Sequence, residues 1–226
     1  MLRVLVKNIP NLLTLTNAFL GSLSIAFIFK GEWATAIACI AGALVADFLD
    51  GFLARKLNAL SPLGKDLDSL ADAISFGAAP AAMLYSVLAY QWSAFAWLSF
   101  LLVPASVYRL AKFNHDTRQT RSFIGLPTPA NALFWLGIAY TLRAEEMSAN
   151  LLVLTLAGVV FFSWLLVSEI PMFSLKGGGE SKWPLVVILL VAVVALLLYG
   201  VGGIAIAIGT YVLLNIARNI NKKKSA

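Results

Sequence analysis

Eight apolar stretches follow one another along the chain, and they limit the possible folds more than any other feature of the sequence. A helix that crosses a bilayer needs about 20 mostly apolar residues, and most of the stretches come close to that length. The fifth is short, and the last two are separated by little more than glycine. The stretches cover residues 11–29, 33–54, 69–90, 94–111, 129–142, 149–168, 184–200 and 202–217.

The composition agrees with a membrane location. Of the 226 residues, 60% are hydrophobic and 12% are charged, which is about half the charged fraction of an average soluble domain. So little charge cannot cover the surface of a water-soluble protein of this size. We therefore predict an all-α, polytopic integral membrane protein with about eight transmembrane helices, folded as a single transmembrane domain over residues 1–226.

The basic residues predict the orientation of these helices. If the N-terminus is cytoplasmic and all eight stretches cross, only Lys30 and Arg143 of the 17 basic residues fall outside. Basic residues accumulate on the cytoplasmic side, so we expect both termini in the cytoplasm of a multi-pass protein of the cell (inner) membrane. Residues 1–10 would form an interfacial segment, and residues 218–226 a basic cytoplasmic tail near membrane lipid. The net charge of +6 then reflects topology, and we expect no nucleic-acid partner.

The acidic residues are concentrated in one region. Of the 11 acidic residues, Asp47, Asp50, Asp66, Asp68 and Asp72 lie in or beside the second and third stretches. An ionisable group inside a membrane costs about 2.5 to 3.5 kcal/mol on insertion scales and by default marks a functional site. Asp47 and Asp50 share one helical face, and so do Asp68 and Asp72, because their spacings are close to one helical turn. We expect the two pairs to face each other near the cytoplasmic side, and Asp66 to face solvent.

Four facing carboxylates need a cation, because like charges and burial both disfavour the ionised form. The chain has one histidine, His115, and one cysteine, Cys39, so a metal would be held by carboxylates, which suits Mg2+ or Mn2+. Two such ions about 3.5 to 4 Å apart would form the clamp that phosphoryl-type displacement requires. Two other interpretations use the same carboxylates: an ion-coupled transporter with a proton or sodium pathway, and a structural network with Arg55 and Lys65.

The spacing of these residues resembles a known signature. The helix pair at residues 33–90 reads Asp47-x-x-Asp50-Gly51-x-x-Ala54-Arg55 and, after eight further residues, Gly64-x-x-x-Asp68-x-x-x-Asp72. This pattern is similar to the signature of the CDP-alcohol phosphotransferases, which transfer a phosphatidyl or related group from a CDP-linked lipid to an alcohol and release CMP. Within the family the chain looks most like the integral-membrane phosphatidylserine synthases, on the strings Pro10-Asn11-Leu12-Leu13-Thr14, Asp68-Ser69-Leu70-Ala71-Asp72 and Phe123-Ile124-Gly125-Leu126-Pro127.

The resemblance implies a metal-dependent transferase. Asp47, Asp50, Asp68 and Asp72 would share two divalent cations, Mg2+ or Mn2+, at each active site. Asp72 would also take the proton from the attacking hydroxyl, since an alcohol is a poor nucleophile without a positioned base. The resemblance further implies CDP-diacylglycerol as donor, L-serine as acceptor and a homodimer as the assembled form.

The resemblance also implies a pocket for the CDP group. Gly51 would make space for the nucleotide, Ala54 and Gly64 would leave room beside it, and Arg55 would reach the diphosphate. A role for Arg55 as a cytoplasmic anchor remains an alternative. Two further candidates near the nucleotide are Asn11 and Thr14, for which capping of the first helix is the alternative.

The acceptor must be bound through its charges, because serine carries a carboxylate and an ammonium. Arg109 in the fourth helix is the first candidate for the carboxylate, because arginine offers bidentate geometry. Asn114 follows a little over one turn later, and Arg118 and Arg121 lie in the next loop. A purely topological role is the alternative for both loop arginines. The acceptor itself stays open, because the core motif is shared with enzymes that use glycerol 3-phosphate, inositol phosphate or choline.

Overall fold

The computed structural model describes residues 2–116, 123–172 and 183–224, and nearly all of them lie in helices. The predicted all-α membrane fold is therefore confirmed. The α-helices are α1 (Leu2–Phe29), α2 (Trp33–Lys56), α3 (Pro62–Asp72), α4 (Ala79–Gln91), α5 (Ser93–Ala96), α6 (Leu102–His115), α7 (Thr128–Leu142), α8 (Ala149–Val167), α9 (Trp183–Tyr199) and α10 (Gly203–Lys224). A π-helix (Ala73–Ala78) joins α3 to α4, and 3-10 turns at Trp97–Leu101 and Gly200–Gly202 precede α6 and α10.

Within the described residues, six helical segments are long and apolar enough to cross a membrane. Helix α7, with 15 residues, is shorter than these. The last segment holds both α9 and α10, which pack against each other, so the chain folds back at Gly200–Gly202. Each predicted apolar stretch thus corresponds to a helix or to joined helices, and the number of crossings stays a prediction. The six segments are Lys7–Phe29, Trp33–Lys56, Pro62–Gln91, Ser93–His115, Ala149–Val167 and Trp183–Ile220.

Two helices begin earlier than the apolar pattern predicts. Helix α1 already begins at Leu2 and runs through Pro10, which removes one backbone hydrogen bond without ending the helix. Residues 2–10 are therefore part of α1, and the place of residues 1–10 at the membrane interface stays a prediction. Helix α3 begins at Pro62 because the Ser61 hydroxyl accepts a hydrogen bond from the Gly64 N–H (3.0 Å) and proline suits the first helical position.

A short antiparallel ribbon ties the chain before α7 to the end of α8. Strand β1 (Phe123–Ile124) pairs with β2 (Pro171–Met172). Gly125 follows with a φ of +75°, and its N–H donates to the Ile170 carbonyl (2.9 Å). A Cβ at Gly125 would lie 2.7 Å from the Leu166 carbonyl oxygen, so this turn requires glycine.

Small residues let α1 and α6 approach the π-helix closely. In a membrane, van der Waals packing drives helix association, and small residues dominate the contacts. A Cβ on Gly21 of α1 would overlap Ser75, and a Cβ on Gly77 would lie 3.2 Å from the Cβ of Ser106 on α6. These contacts hold the π-helix between two membrane-length segments.

The π-helix is also the point where α2 and α7 meet. Its Phe76 is fully buried and packs in one cluster with Ala43 of α2 and Ala132 of α7. A π-helix is rare and often marks a functional site. Here it begins at the residue after Asp72, so the packing of four helices fixes the backbone that carries this carboxylate.

Candidate active site

Three carboxylates meet where α2 and α3 face each other. One oxygen from each of Asp47, Asp50 and Asp68 lies within 4.8 Å of the other two. An Mg2+ ion with ligands at about 2.1 Å would hold its oxygens roughly 3 to 4 Å apart, so small side-chain movements would let the three oxygens share one ion. The donors are all carboxylate oxygens, which suits Mg2+ or Mn2+. The residues present therefore fit a hard divalent cation.

Helix α1 contributes a hydroxyl to this cluster. The Thr14 hydroxyl lies 2.5 Å from Oδ2 of Asp50 and 3.0 Å from the carbonyl oxygen of Pro10. Because α1 begins at Leu2, Thr14 and Asn11 lie well inside the helix, and the alternative that they cap its start is wrong. Thr14 instead orients the carboxylate of a neighbouring helix.

Asp72 is buried, and its contacts differ from those of the other three aspartates. Its side chain is 7% exposed, and its Oδ1 accepts a hydrogen bond from Nδ2 of Asn17 on α1 (3.2 Å). It also interacts electrostatically with Asp47, Asp68 and Arg109. Asp72 thus stands between the carboxylate cluster and a buried guanidinium, outside the group of three oxygens that share the 4.8 Å limit.

A cavity of about 790 Å³ opens beside the three carboxylates. Its volume falls in the range typical of small-molecule sites. Arg55 and Lys65 add basic groups to its wall, opposite in sign to the cluster. All six residues predicted for the CDP pocket line this cavity, namely Asn11, Thr14, Gly51, Ala54, Arg55 and Gly64.

Two glycines shape the wall of this cavity. A Cβ on Gly51 would lie 3.5 Å from Nη1 of Arg55, and a Cβ on Gly64 would lie 3.1 Å from Oδ1 of Asn11. The Arg55 guanidinium therefore reaches back over Gly51, and α1 approaches the start of α3 at Gly64. A larger side chain at Gly64 would press on Asn11 or on the Ser61 cap.

The residues predicted to bind the acceptor substrate lie in different surroundings. Arg109 is 8% exposed, and its Nη1 donates to the Thr128 hydroxyl (2.7 Å). Asn114 instead joins α6 to α3, since its Nδ2 donates to the Ser69 hydroxyl (2.8 Å) and its backbone carbonyl accepts a hydrogen bond from Lys65. The remaining two candidates, Arg118 and Arg121, lie outside the described residues.

Sequence reasoning missed two buried asparagines near these groups. Asn17 contacts Asp72 through its side chain, and its backbone carbonyl accepts a hydrogen bond from the Ser75 hydroxyl (2.8 Å). Asn131 on α7 is fully buried. Both are amides inside otherwise apolar segments, and polar residues within membrane helices are expensive and often functional. That signal was present in the sequence.

Comparison with known proteins gives matches that cover most of the chain. Residues 7–165 match the family described as CDP-alcohol phosphatidyltransferase. The matched range includes every residue of the carboxylate cluster and every residue of the predicted CDP pocket.

Individual relatives extend this similarity toward the C-terminus. The chain is 32% identical over 231 aligned positions, 96% of each protein, to the CDP-diacylglycerol–serine O-phosphatidyltransferase of Helicobacter pylori. It is 33% identical to the enzyme of the same name from Bacillus subtilis, over 72% of this chain and 88% of that protein. It is also 33% identical to the archaetidylserine synthase of Methanothermobacter thermautotrophicus, over 76% of this chain and 72% of that protein.

Proposed function

The chain belongs to the CDP-alcohol phosphatidyltransferase family, and on this premise we propose that it transfers the phosphatidyl group of CDP-diacylglycerol to L-serine. The products are phosphatidylserine and CMP. The names of the relatives from Helicobacter pylori and Bacillus subtilis support serine as the acceptor. The observation that carries the proposal is the cluster of Asp47, Asp50 and Asp68 in the wall of a cavity of about 790 Å³. Family membership also sets aside the transporter interpretation.

The donor binds in this cavity. Asp47, Asp50 and Asp68, together with Asp72, would hold two Mg2+ or Mn2+ ions, which would neutralise charge on the diphosphate and on the departing CMP. The guanidinium of Arg55 and the ammonium of Lys65 lie on the same wall and bind diphosphate oxygens. The lipid tails leave the site toward the bilayer, because the helices around it are apolar and long enough to cross it.

The reaction is a displacement at the phosphatidyl phosphorus. The serine hydroxyl oxygen forms the new P–O bond, the P–O bond to CMP breaks, and CMP leaves with the bonding electron pair. Asp72 accepts the hydroxyl proton as general base. The hydrogen bond from Asn17 to Oδ1 leaves Oδ2 of Asp72 for this proton, which gives Asn17 the role of orienting the base.

Arg109 holds the serine carboxylate. It is buried beside Asp72 and interacts with it electrostatically, so an acceptor bound to the guanidinium has its hydroxyl near the base. The Nε of Arg109 has no hydrogen-bond partner among the described residues and is available as a donor. An acceptor that carries a phosphate would need more basic groups than the described residues place around Asp72.

The active site faces the cytoplasm of a multi-pass inner-membrane protein that works as a homodimer. The distribution of basic residues supports this orientation, and the family supports the dimer. An acceptor panel tests the function. Purified protein is supplied with CDP-diacylglycerol, Mn2+ and one of L-serine, glycerol 3-phosphate, inositol phosphate or choline, and CMP is measured. We expect release with L-serine only, and release with another acceptor alone would refute the assignment.

A further inference from the structure

Asn131 on α7 is a buried amide without a visible partner. Its side chain is 0% exposed, and neither Oδ1 nor Nδ2 has a hydrogen-bond partner among the described residues. Burying an amide in this way destabilises a fold, because both groups lose their hydrogen bonds to water. An apolar residue would pack there without this cost, and a bound ligand would supply the missing hydrogen-bond partners.

Asn131 lies one helical turn from the residue that binds the guanidinium assigned to the acceptor. Arg109 of α6 donates from Nη1 to the hydroxyl of Thr128 (2.7 Å), and Thr128 and Asn131 are neighbours on one face of α7, one turn apart. The Nε of Arg109 is buried and unpartnered within the described part of the chain. Three polar atoms in need of partners therefore lie on adjoining helices.

Helix α10 packs against α7 beside the polar residues of α6 and α7. It runs antiparallel to α7, because Gly137 meets Ala205 and Phe134 meets Gly209. This register places Tyr211, two residues beyond Gly209, at the level of Asn131. Tyr211 is 4% exposed and interacts electrostatically with Arg109. A buried polar layer thus extends from Asp72 through Arg109 to the space between α7 and α10.

We propose that Asn131 binds the acceptor and selects an α-amino acid. This inference rests on the proposed function. A carboxamide has a donor and an acceptor side by side, which matches the two charged groups of an α-amino acid. Nδ2 of Asn131 donates to the carboxylate next to Nε of Arg109, and Oδ1 accepts from the ammonium.

Binding requires the packing around Arg109 to open. A cavity of about 10 Å³ adjoins Arg109, lined also by Lys112, Phe113, Ile124 and residues 166–168. This space has room for about one water molecule and is too small for an amino acid. Binding of the acceptor therefore requires side chains around Arg109 to move.

The test uses two variants of the full-length protein. Asn131→Leu keeps a branched side chain without polar atoms, and Asn131→Ala removes the amide entirely. Thr155→Val is the matched control, because Thr155 is a buried polar residue on α8 whose hydroxyl donates to the Leu151 carbonyl (2.8 Å), away from the site. For each protein the KM for L-serine, the KM for CDP-diacylglycerol and the melting temperature are measured with Mn2+ present.

We expect both Asn131 variants to raise the KM for serine roughly ten- to a hundredfold, with the KM for CDP-diacylglycerol unchanged and no fall in melting temperature for Asn131→Leu. If the amide were only structural, the substitutions would lower the melting temperature and leave the KM for serine unchanged. An unchanged KM for serine, an equal rise in both constants, or failure of both variants to fold would overturn the proposal. If the unmodified protein released CMP at the same rate with and without L-serine, the proposed function would be refuted, and with it the role of Asn131.

Discussion

At the scale of single residues, the four aspartates of the site have different surroundings. Asp47, Asp50 and Asp68 lie within reach of one another at the cavity, while Asp72 is held by Asn17 on the side of Arg109. The first three fit a divalent cation, and the role proposed for the fourth is to accept a proton. Metal ligation by Asp72 stays a prediction, as does the number of ions.

Replacing Asp68 tests the metal site. Asp68→Asn should abolish turnover and weaken Mn2+ binding, because the charge that balances the cation is lost from one of three converging ligands. Asp66→Asn is the matched control, since Asp66 is exposed on the same helix and should leave both properties unchanged. Mn2+ titration of the purified variants and CMP release measure the two effects. Full activity of Asp68→Asn would remove the metal assignment.

Replacing Arg109 tests the acceptor site. A bidentate contact with a charged group contributes about 1.5 to 3 kcal/mol, so Arg109→Lys should raise the KM for serine roughly ten- to a hundredfold. Arg55→Lys should affect the KM for CDP-diacylglycerol instead, because Arg55 lines the donor cavity. Titration of each substrate against both variants distinguishes the two sites. An equal loss for both substrates in Arg109→Lys would assign Arg109 a structural role.

At the scale of elements, the sequence predicts that the helices exist better than it predicts where they begin or where the helical geometry changes. The apolar stretches identify every long helix, because length and hydropathy determine what crosses a bilayer. The early start of α3 depends on one serine cap and one proline, which an apolar pattern does not detect. At Gly21 and Gly77 the π-helix packs closely against α1 and α6, and a local pattern does not encode such contacts between helices.

The contact between α1 and the π-helix should be sensitive to size. In Gly21→Ala the added Cβ would overlap Ser75, so we expect a loss of about 1 to 3 kcal/mol in stability together with lower turnover, as Asn17 and Asp72 shift. Gly209→Ala is the matched control, because its Cβ would lie 3.8 Å from Phe134, an ordinary contact. Thermal unfolding and CMP release compare the variants. Equal stability of the two would show that this packing does not position the site.

At the scale of the whole molecule, the carboxylate cluster was predictable, and the acceptor region was predictable only in part. Asp47, Asp50 and Asp68 come from two consecutive helices, so their spacing along the chain was enough to expect that they meet. Arg109 and Asn131 also come from consecutive helices, but the hydrogen bond from Arg109 to Thr128, one turn from Asn131, depends on how α6 and α7 pack, which no spacing motif indicates. Two loop arginines predicted for the same site lie outside the described residues.

The orientation of the protein can be tested by cysteine labelling. Cys39 is buried and is first replaced by alanine. Asn58, exposed in the turn between α2 and α3, and Glu146, exposed between α7 and α8, are then replaced by cysteine in separate variants. We expect Asn58→Cys to react only from the cytoplasmic side and Glu146→Cys only from outside, because only two basic residues were assigned to the outside. Reaction of both from one side would contradict the topology.

The most direct test of the central claim is the stoichiometry of one reaction. Purified protein is incubated with CDP-diacylglycerol and labelled L-serine, with Mn2+ or after thorough chelation, and CMP and phosphatidylserine are both quantified. We predict equal amounts of the two products with Mn2+, no product after chelation and none from Asp72→Asn with Mn2+. Undiminished product after chelation, or CMP without labelled lipid, would contradict metal-dependent transfer to serine by this carboxylate site.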